Sequence, residues 1–209
     1  MATARTGTKR PTGPPSSSSS SSCGPPAKKG HWSLGLLDTM KDPSSQVYTD
    51  DRVVIIKDKY PKARFHYLVL PREQIAKLKA LKPSHLDLLR HMEEVGDKVI
   101  KEAIGEKGLT YRLGYHAVPS MSHLHLHAIS QDFDSPSLKT KKHWNSFTSA
   151  YFVDSKEVID QLEKEGKVDT SSKNPDALLK LPLRCHVCKL ELGNIPKLKA
   201  HIVKHIKKS

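Results

Sequence analysis

The stretch His123-Leu-His-Leu-His-Ala-Ile129 decides the fold of this 209-residue chain. Three histidines alternate with apolar residues, and successive side chains of a β-strand point to opposite faces of the sheet. The pattern therefore predicts a strand that buries Leu124, Leu126 and Ala128 in a core. The other face of this strand then carries three imidazoles in a row.

Three interpretations of this row of imidazoles remain open at this point. The histidines are incidental on a solvent-facing strand, or they bind a metal ion, since imidazole is a common zinc ligand. In the third interpretation a neutral imidazole attacks phosphorus and forms a covalent phosphoramidate, which splits one difficult displacement into two easier ones. The neighbouring imidazoles then bind phosphate oxygens and move protons near neutral pH.

The flanking sequence predicts an α+β domain, with helices beside an antiparallel sheet. Alternating and β-branched residues predict five strands, and apolar residues at helical spacing predict a long helix that opens at Pro83. The predicted strands cover residues 46–48, 52–58, 64–71, 109–117 and 123–130, and the predicted helices cover 33–40, 83–104, 154–166 and 174–180.

The net charge of +13 is concentrated at the two ends of the chain. Residues 1–30 carry five Lys/Arg and no acid, and residues 180–209 carry eight Lys/Arg and one acid. We therefore divide the chain into a disordered Ser/Pro/Gly-rich tail (1–30), a near-neutral globular domain (31–179) and a small basic unit (180–209). Basic ends of this kind are typical of proteins that bind an anionic polymer.

Composition excludes two broad classes of protein. No run approaches the ~18–20 consecutive apolar residues of a membrane span, and the N-terminus lacks the apolar core of a secretory signal. Three Cys, an odd number, argue against a disulfide scaffold and indicate a reducing compartment. We expect no membrane partner.

A second motif lies in the C-terminal unit: Cys185-x2-Cys188-x12-His201-x3-His205. This spacing predicts a small ββα finger in which two thiolates and two imidazoles hold one structural zinc ion. Among the base-facing positions of such a finger only Asn194 suits adenine reading, whereas lysines are plentiful. We therefore expect largely sequence-independent contacts with nucleic-acid phosphates.

The motif at 123–129 resembles the signature of the histidine-triad family, and residues 57–71 are similar to that family's nucleotide-binding strand pair. Residues 115–147, followed by the finger, are similar to the family members that act on DNA. The resemblance implies that residues 31–179 form a catalytic domain with the histidine-triad fold, and it implies roles for individual residues. The implied catalytic residues are the nucleophile His125, with His127, His123 and His66. The candidate nucleotide- and phosphate-binding residues are Asp58, Lys62, Ser120, His116 and Lys142.

The resemblance also implies a function. The expected reaction removes AMP from 5′-adenylated DNA at nicked or broken ends, in the nucleus, with RNA–DNA junctions as further substrates and no catalytic metal. The alternatives are a triad hydrolase of small nucleotides and a non-catalytic zinc-finger module. No forkhead-associated domain precedes the match, so we do not assign repair-protein partners that such a domain would recruit.

Overall fold

A computed structural model describes residues 31–171 and 174–206 of the chain. The predicted disorder of residues 1–30 lies outside the described residues. Within them, no helix combines the length and the apolar character that crossing a bilayer requires.

Six strands form one antiparallel sheet, which confirms the predicted fold class. The spatial order is β1-β2-β3-β5-β4-β6, so the strand with the histidines lies near the middle of the sheet. The strands are β1 (Gln46–Thr49), β2 (Val53–Lys57), β3 (His66–Pro71), β4 (Tyr111–His116), β5 (Leu126–Ser130) and β6 (Phe152–Asp154).

In residues 31–171 and 174–206, six α-helices accompany the sheet. The longest is amphipathic, and a short 3-10 turn at Pro83–His85 precedes it, so the chain turns at the predicted proline but becomes α-helical only at Leu86. The helices are α1 (His31–Lys41), α2 (Leu86–Ile104), α3 (Lys141–Thr148), α4 (Ser155–Glu165), α5 (Pro175–Lys180) and α6 (Ile195–Ile206).

One face of the sheet is covered by α2 and α4 and holds the largest apolar cluster. Leu124, Leu126 and Ala128 all belong to this cluster, together with Met92 of α2 and Leu162 of α4. The predicted alternation of the histidine segment is therefore confirmed: its apolar residues pack under the helices, and the imidazoles lie on the opposite face.

The opposite face is covered at two separate places. Helix α1 packs over β2 and β3 through Leu36 and Met40. Helix α3 and the C-terminal finger cover the other end, where Trp144 of α3 and Leu198 of α6 join one apolar cluster with Ile129 of β5. The histidines occupy the space between these two coverings.

Two elements of this second covering, α3 and β6, were not among the predicted elements. Helix α3 spans eight residues and is capped by Thr140, whose hydroxyl accepts from the backbone N–H of His143. Strand β6 spans three residues and pairs with β4, where Gly114 lies opposite Asp154. An added Cβ at Gly114 would lie 2.5 Å from the Val153 carbonyl oxygen, so glycine permits this close approach.

Candidate active site and zinc finger

The first two histidines of the triad lie before the regular part of β5, which begins at Leu126. The prediction of a strand from residue 123 is therefore too long by three residues. A backbone hydrogen bond from Leu124 to the Ile75 carbonyl (2.7 Å) holds this segment, and all three triad side chains are buried.

Backbone carbonyls fix the proton positions of His123 and His125. His123 Nε2 donates to the Pro71 carbonyl oxygen at 2.8 Å. His125 Nδ1 donates to the His123 carbonyl oxygen at 2.7 Å. Because a carbonyl only accepts, His125 carries its proton on Nδ1, and its Nε2 keeps a lone pair when the ring is neutral. This is the tautomer that a nucleophile requires.

A second series of hydrogen bonds fixes the proton positions of His66 and His127. The backbone N–H of Lys62 donates to His66 Nδ1 at 3.1 Å, so neutral His66 carries its proton on Nε2. That Nε2 donates to His127 Nδ1 at 2.9 Å. Neutral His127 therefore carries its proton on Nε2, a buried atom without a hydrogen-bond partner among the described residues. This N–H is available for a phosphate oxygen.

His116 lies beside the His127 ring, on the neighbouring strand β4. Its ring centroid is 4.5 Å from that of His127, and its Nε2 is a second buried ring nitrogen without a partner in the described part of the chain. The structure thus brings together four of the predicted site histidines: His66, His116, His125 and His127.

Burial keeps these imidazoles neutral. Loss of hydration lowers the pKa of His66 to about 4 and that of His116 to about 3. Loss of hydration likewise lowers the pKa of His125, and that of His127 falls well below its usual range. Neutral rings at pH 7 are the state that nucleophilic attack and hydrogen-bond donation both need.

An aromatic wall of Phe147, Tyr151 and Phe152 closes one side of the site, and none of these residues was predicted to belong to it. The Phe147 ring of α3 stands nearly perpendicular to the rings of His66 (5.3 Å) and His127 (5.2 Å). Tyr151 lies 5.3 Å from His116, and Phe152 of β6 lies 6.0 Å from it. The sequence signal for this wall, aromatic residues grouped between 144 and 152, is also typical of an ordinary core.

Asp58 and Lys62 lie next to His66. Asp58 Oδ2 is 3.4 Å from His66 Nδ1, and Asp58 Oδ1 accepts from the backbone N–H of Tyr60 at 2.7 Å. Lys62 is half-buried, its Nζ donates to the Tyr60 carbonyl oxygen, and burial lowers its pKa. Its positive charge acts on His66, His116 and His127.

Ser120 and Lys142 lie at the periphery of the site. Ser120 is exposed in the loop between β4 and β5, beside Pro119, which lines a small recess together with His125. Lys142 is exposed in the first turn of α3. Their contacts with phosphate remain predictions.

A wider groove of about 570 Å³ adjoins the recess at Pro119. Lys77, Lys79 and Ser122 line it together with apolar residues of the β4–β5 loop. The site is therefore open toward a mixed apolar and basic surface.

The four predicted zinc ligands converge in the C-terminal finger. Arg184 and Glu191 form an antiparallel bridge around the two cysteines, and α6 carries the two histidines. The ligand atoms of Cys185, Cys188, His201 and His205 all lie within 4.8 Å of one another.

This donor set fits zinc. His201 Nε2 lies 3.1 Å from both Cys188 Sγ and His205 Nε2. Two thiolates and two imidazoles at these separations match a tetrahedral site with metal–ligand distances of about 2.0–2.3 Å. A zinc ion held by these four residues would supply a structural crosslink for a unit too small to fold on its own core.

Three side chains of the finger form hydrogen bonds with backbone groups of the protein. Lys199 Nζ donates to the Ser135 carbonyl and Lys189 Nζ donates to the His186 carbonyl, and contacts of these two lysines with phosphate stay a prediction. Asn194 Oδ1 accepts from the backbone N–H of Lys197 at 2.9 Å and so caps α6. Its adenine-reading role is therefore not supported.

The six-stranded sheet, the alternating histidines and the fused finger define a histidine-triad protein with a C-terminal zinc-binding module. Residues 31–143 match the family described as "scavenger mRNA decapping enzyme C-term binding", and residues 148–208 match the "C2HE / C2H2 / C2HC zinc-binding finger". Aprataxin from Gallus gallus is 59% identical over 176 residues, which cover 84% of this chain and 55% of the relative. An aprataxin-like protein from Schizosaccharomyces pombe is 30% identical over 184 residues, covering 75% of this chain and 72% of the relative.

Among solved structures, the aprataxin ortholog Hnt3 in complex with DNA matches with a TM-score of 0.54 and 27% identity, covering 84% of this chain and 92% of that chain. The chain belongs to the aprataxin family. It spans about half the length of the first curated relatives, 55% of the Gallus gallus protein and 54% of the Danio rerio protein.

Proposed function

We propose that this protein removes AMP from the 5′-phosphate of adenylated DNA, the product of abortive ligation, through a covalent histidine–AMP intermediate. The observation that carries the proposal is the hydrogen bond from His125 Nδ1 to the His123 carbonyl (2.7 Å), which leaves the lone pair on Nε2. Family membership supports the substrate, because a solved relative carries DNA in its structure.

The reaction has two displacements. His125 Nε2 attacks the α-phosphorus of the adenylate, the bond to the bridging oxygen breaks, and the DNA departs with its 5′-phosphate. Water then attacks the same phosphorus, the N–P bond breaks, and AMP leaves. His127 Nε2–H donates to a non-bridging oxygen in both steps, and the buried surroundings strengthen this interaction.

The finger supplies the affinity for the polymer in this proposal. Lys197 and Lys204 are exposed on α6, and Lys142 is exposed on α3, which packs under the finger. Contacts from these side chains to phosphates would be independent of base sequence and sensitive to salt. The proposed partners are nicked or broken DNA ends and RNA–DNA junctions, which implies action in the nucleus.

The experiment is incubation of the chain with a 5′-adenylated nicked duplex labelled in the AMP, followed by acid quenching and trapping of a protein adduct. We expect an acid-labile adduct on wild type and none on His125→Ala, with AMP release lowered by more than a thousandfold because the nucleophile is absent. DNA affinity should change little.

His91→Gln is the matched control, because His91 pairs with Asp50 and belongs to neither the triad nor the finger. This variant should keep wild-type turnover. Normal AMP release by His125→Ala would exclude His125 as the nucleophile.

A hydrolase of small nucleotides is the second candidate, since the buried triad suits it equally. Rates on adenylated DNA and on a free dinucleotide polyphosphate distinguish the two. A clear preference for DNA that disappears at high salt supports the proposed function. A non-catalytic module whose strand histidines bind metal would instead show two zinc ions per chain, whereas the proposed enzyme needs one.

A further inference from the structure

The Nδ1 atom of His66 has two neighbours that demand opposite protonation states. The backbone N–H of Lys62, at 3.1 Å, requires a lone pair on this nitrogen. The carboxylate of Asp58, with Oδ2 at 3.4 Å, can accept a hydrogen bond only if this nitrogen carries a proton. The His66 side chain is fully buried, so water cannot take the place of either neighbour.

We propose that Asp58 is a positioning residue for the reaction, and not only a ligand of the ribose: it stabilises protonated His66 beside the bound phosphate, and this positive charge strengthens the hydrogen bonds from His66 to His127 and from His127 to the phosphate. The inference rests on the proposed function, in which a phosphate occupies the space in front of His127. In the substrate-free site His66 is neutral and accepts from Lys62.

A bound phosphate brings negative charge into a buried site, which favours an additional proton nearby. His125 Nδ1 is already bonded to a carbonyl, and its Nε2 is needed for attack. His127 Nδ1 is occupied by the hydrogen bond from His66. The remaining position with an anion beside it is His66 Nδ1, which faces Asp58.

Protonation at this position gives His66 two donors, one toward Asp58 and one toward His127. Asp58 accepts from His66 Nδ1–H, His66 Nε2–H donates to His127 Nδ1, and His127 Nε2–H donates to the phosphate oxygen. Asp58 is the carboxylate that favours the positive charge on His66. The groups that oppose it are Lys62 and the neighbouring imidazoles of His116, His125 and His127.

Asp58→Asn separates this role from ribose binding. An asparagine oxygen can still accept from the Tyr60 N–H, so the turn is retained, but the negative charge is lost. Two substrates are needed: adenylated nicked DNA, and the same duplex capped with 2′,3′-dideoxyadenosine, which lacks the hydroxyls that a ribose ligand would contact.

We expect kcat of Asp58→Asn to fall about tenfold or more on both substrates, since one pKa unit changes a protonated fraction tenfold. The decline of kcat with rising pH should begin at lower pH, because loss of the carboxylate lowers the pKa of His66 in the complex. Asp58→Glu should restore part of kcat. If Asp58→Asn has the same kcat as wild type on the dideoxy substrate, or the same pH profile, the inference is overturned.

Asp134→Asn is the matched control. Asp134 is an exposed acid that pairs with Arg64 at 3.0 Å, and its loss should leave kcat and the pH profile unchanged. A shift as large as that of Asp58→Asn would show a general charge effect and would also overturn the inference.

A spectroscopic measurement keeps this inference separable from the proposed function. Nitrogen NMR of the histidine rings in the full chain, with AMP added, reports the protonation of His66 directly. We expect His66 to titrate at a pKa about one unit higher in wild type than in Asp58→Asn. Equal titration would refute the role of Asp58, whereas failure of wild type to act on any adenylated DNA would refute the proposed function alone.

Discussion

The reactive nitrogens of the triad are set by backbone groups. A carbonyl at Pro71 orients His123, a carbonyl at His123 orients His125, and the N–H of Lys62 orients His66. Because the backbone groups are part of the fold, the tautomers exist before substrate binds. Preorganisation of this kind lowers the cost of reaching the transition state.

The sequence predicted this arrangement only in part. The alternation at 123–129 predicts which side chains share a face, since the strand period is two. It does not predict which ring nitrogen of His123 is free, because that depends on a carbonyl at Pro71, 52 positions away in the chain. The pairing of His66 with His127 likewise depends on the register of β3 and β5, where Leu68 lies opposite His127.

Buried neutral histidines should make the protein sensitive to acid. The pKa of His116 is lowered to about 3 in the folded chain, so between about pH 3 and its ordinary value of 6.5 the unfolded chain binds more protons, and acid favours unfolding. For His116→Gln we expect a smaller loss of unfolding free energy between pH 7 and pH 5, by about 2 kcal/mol. Urea unfolding at the two pH values measures this difference.

The comparison is between the changes with pH and not between absolute stabilities, so a general destabilisation of the variant does not affect it. Equal losses for wild type and His116→Gln would show that His116 is already charged, or equally accessible to protons, in the folded chain.

At the scale of the element, helix α3 and strand β6 connect the finger to the triad. Trp144 is fully buried and its indole N–H donates to the Arg184 carbonyl of the finger at 2.9 Å. One turn further, Phe147 packs against the rings of His66 and His127. Neither element was among those predicted from the sequence.

Strand β6 packs closely against β4 at Gly114, where only a glycine leaves enough room. For Gly114→Ala the added Cβ would lie 2.5 Å from the Val153 carbonyl oxygen and 2.6 Å from the Phe152 ring, so β6 must move. We expect a loss of roughly 1–3 kcal/mol in unfolding free energy. Turnover should also fall, since Phe152 lines the aromatic wall; thermal unfolding and AMP release measure the two effects.

Gly193→Ala is the control within the same chain, because no atom lies within 4 Å of an added Cβ there. This variant should match wild type in both measurements. If Gly114→Ala also matched wild type, β6 would be free to shift without consequence for the site.

Across the whole molecule, the lysines of the C-terminal unit fall into two groups: some bond to the rest of the protein, and others face solvent. Lys199 is tied to the Ser135 carbonyl of the catalytic domain, while Lys197 and Lys204 are exposed. The net charge of a segment does not show which lysines bond to the protein and which face solvent, because that depends on where the finger packs.

We predict that replacing Lys197 and Lys204 together by Gln lowers the slope of log affinity against log salt by about 0.9 for each lost phosphate contact. Lys199→Gln should instead lower thermal stability and leave the slope unchanged. Salt titrations by fluorescence anisotropy, on several DNA sequences, measure the slopes. One strongly favoured sequence, or an equal slope for all variants, would contradict phosphate-based binding.

The apolar cluster that Ile129, Trp144 and Leu198 share has a practical consequence. Deleting residues 180–209 would leave the flank of the histidine site bare, with an indole and several aliphatic groups facing water. Such a fragment should precipitate or bind hydrophobic dyes, and its inactivity would say little about what the finger recognises. Single lysine replacements on the intact polypeptide are the sounder way to test what the finger contributes.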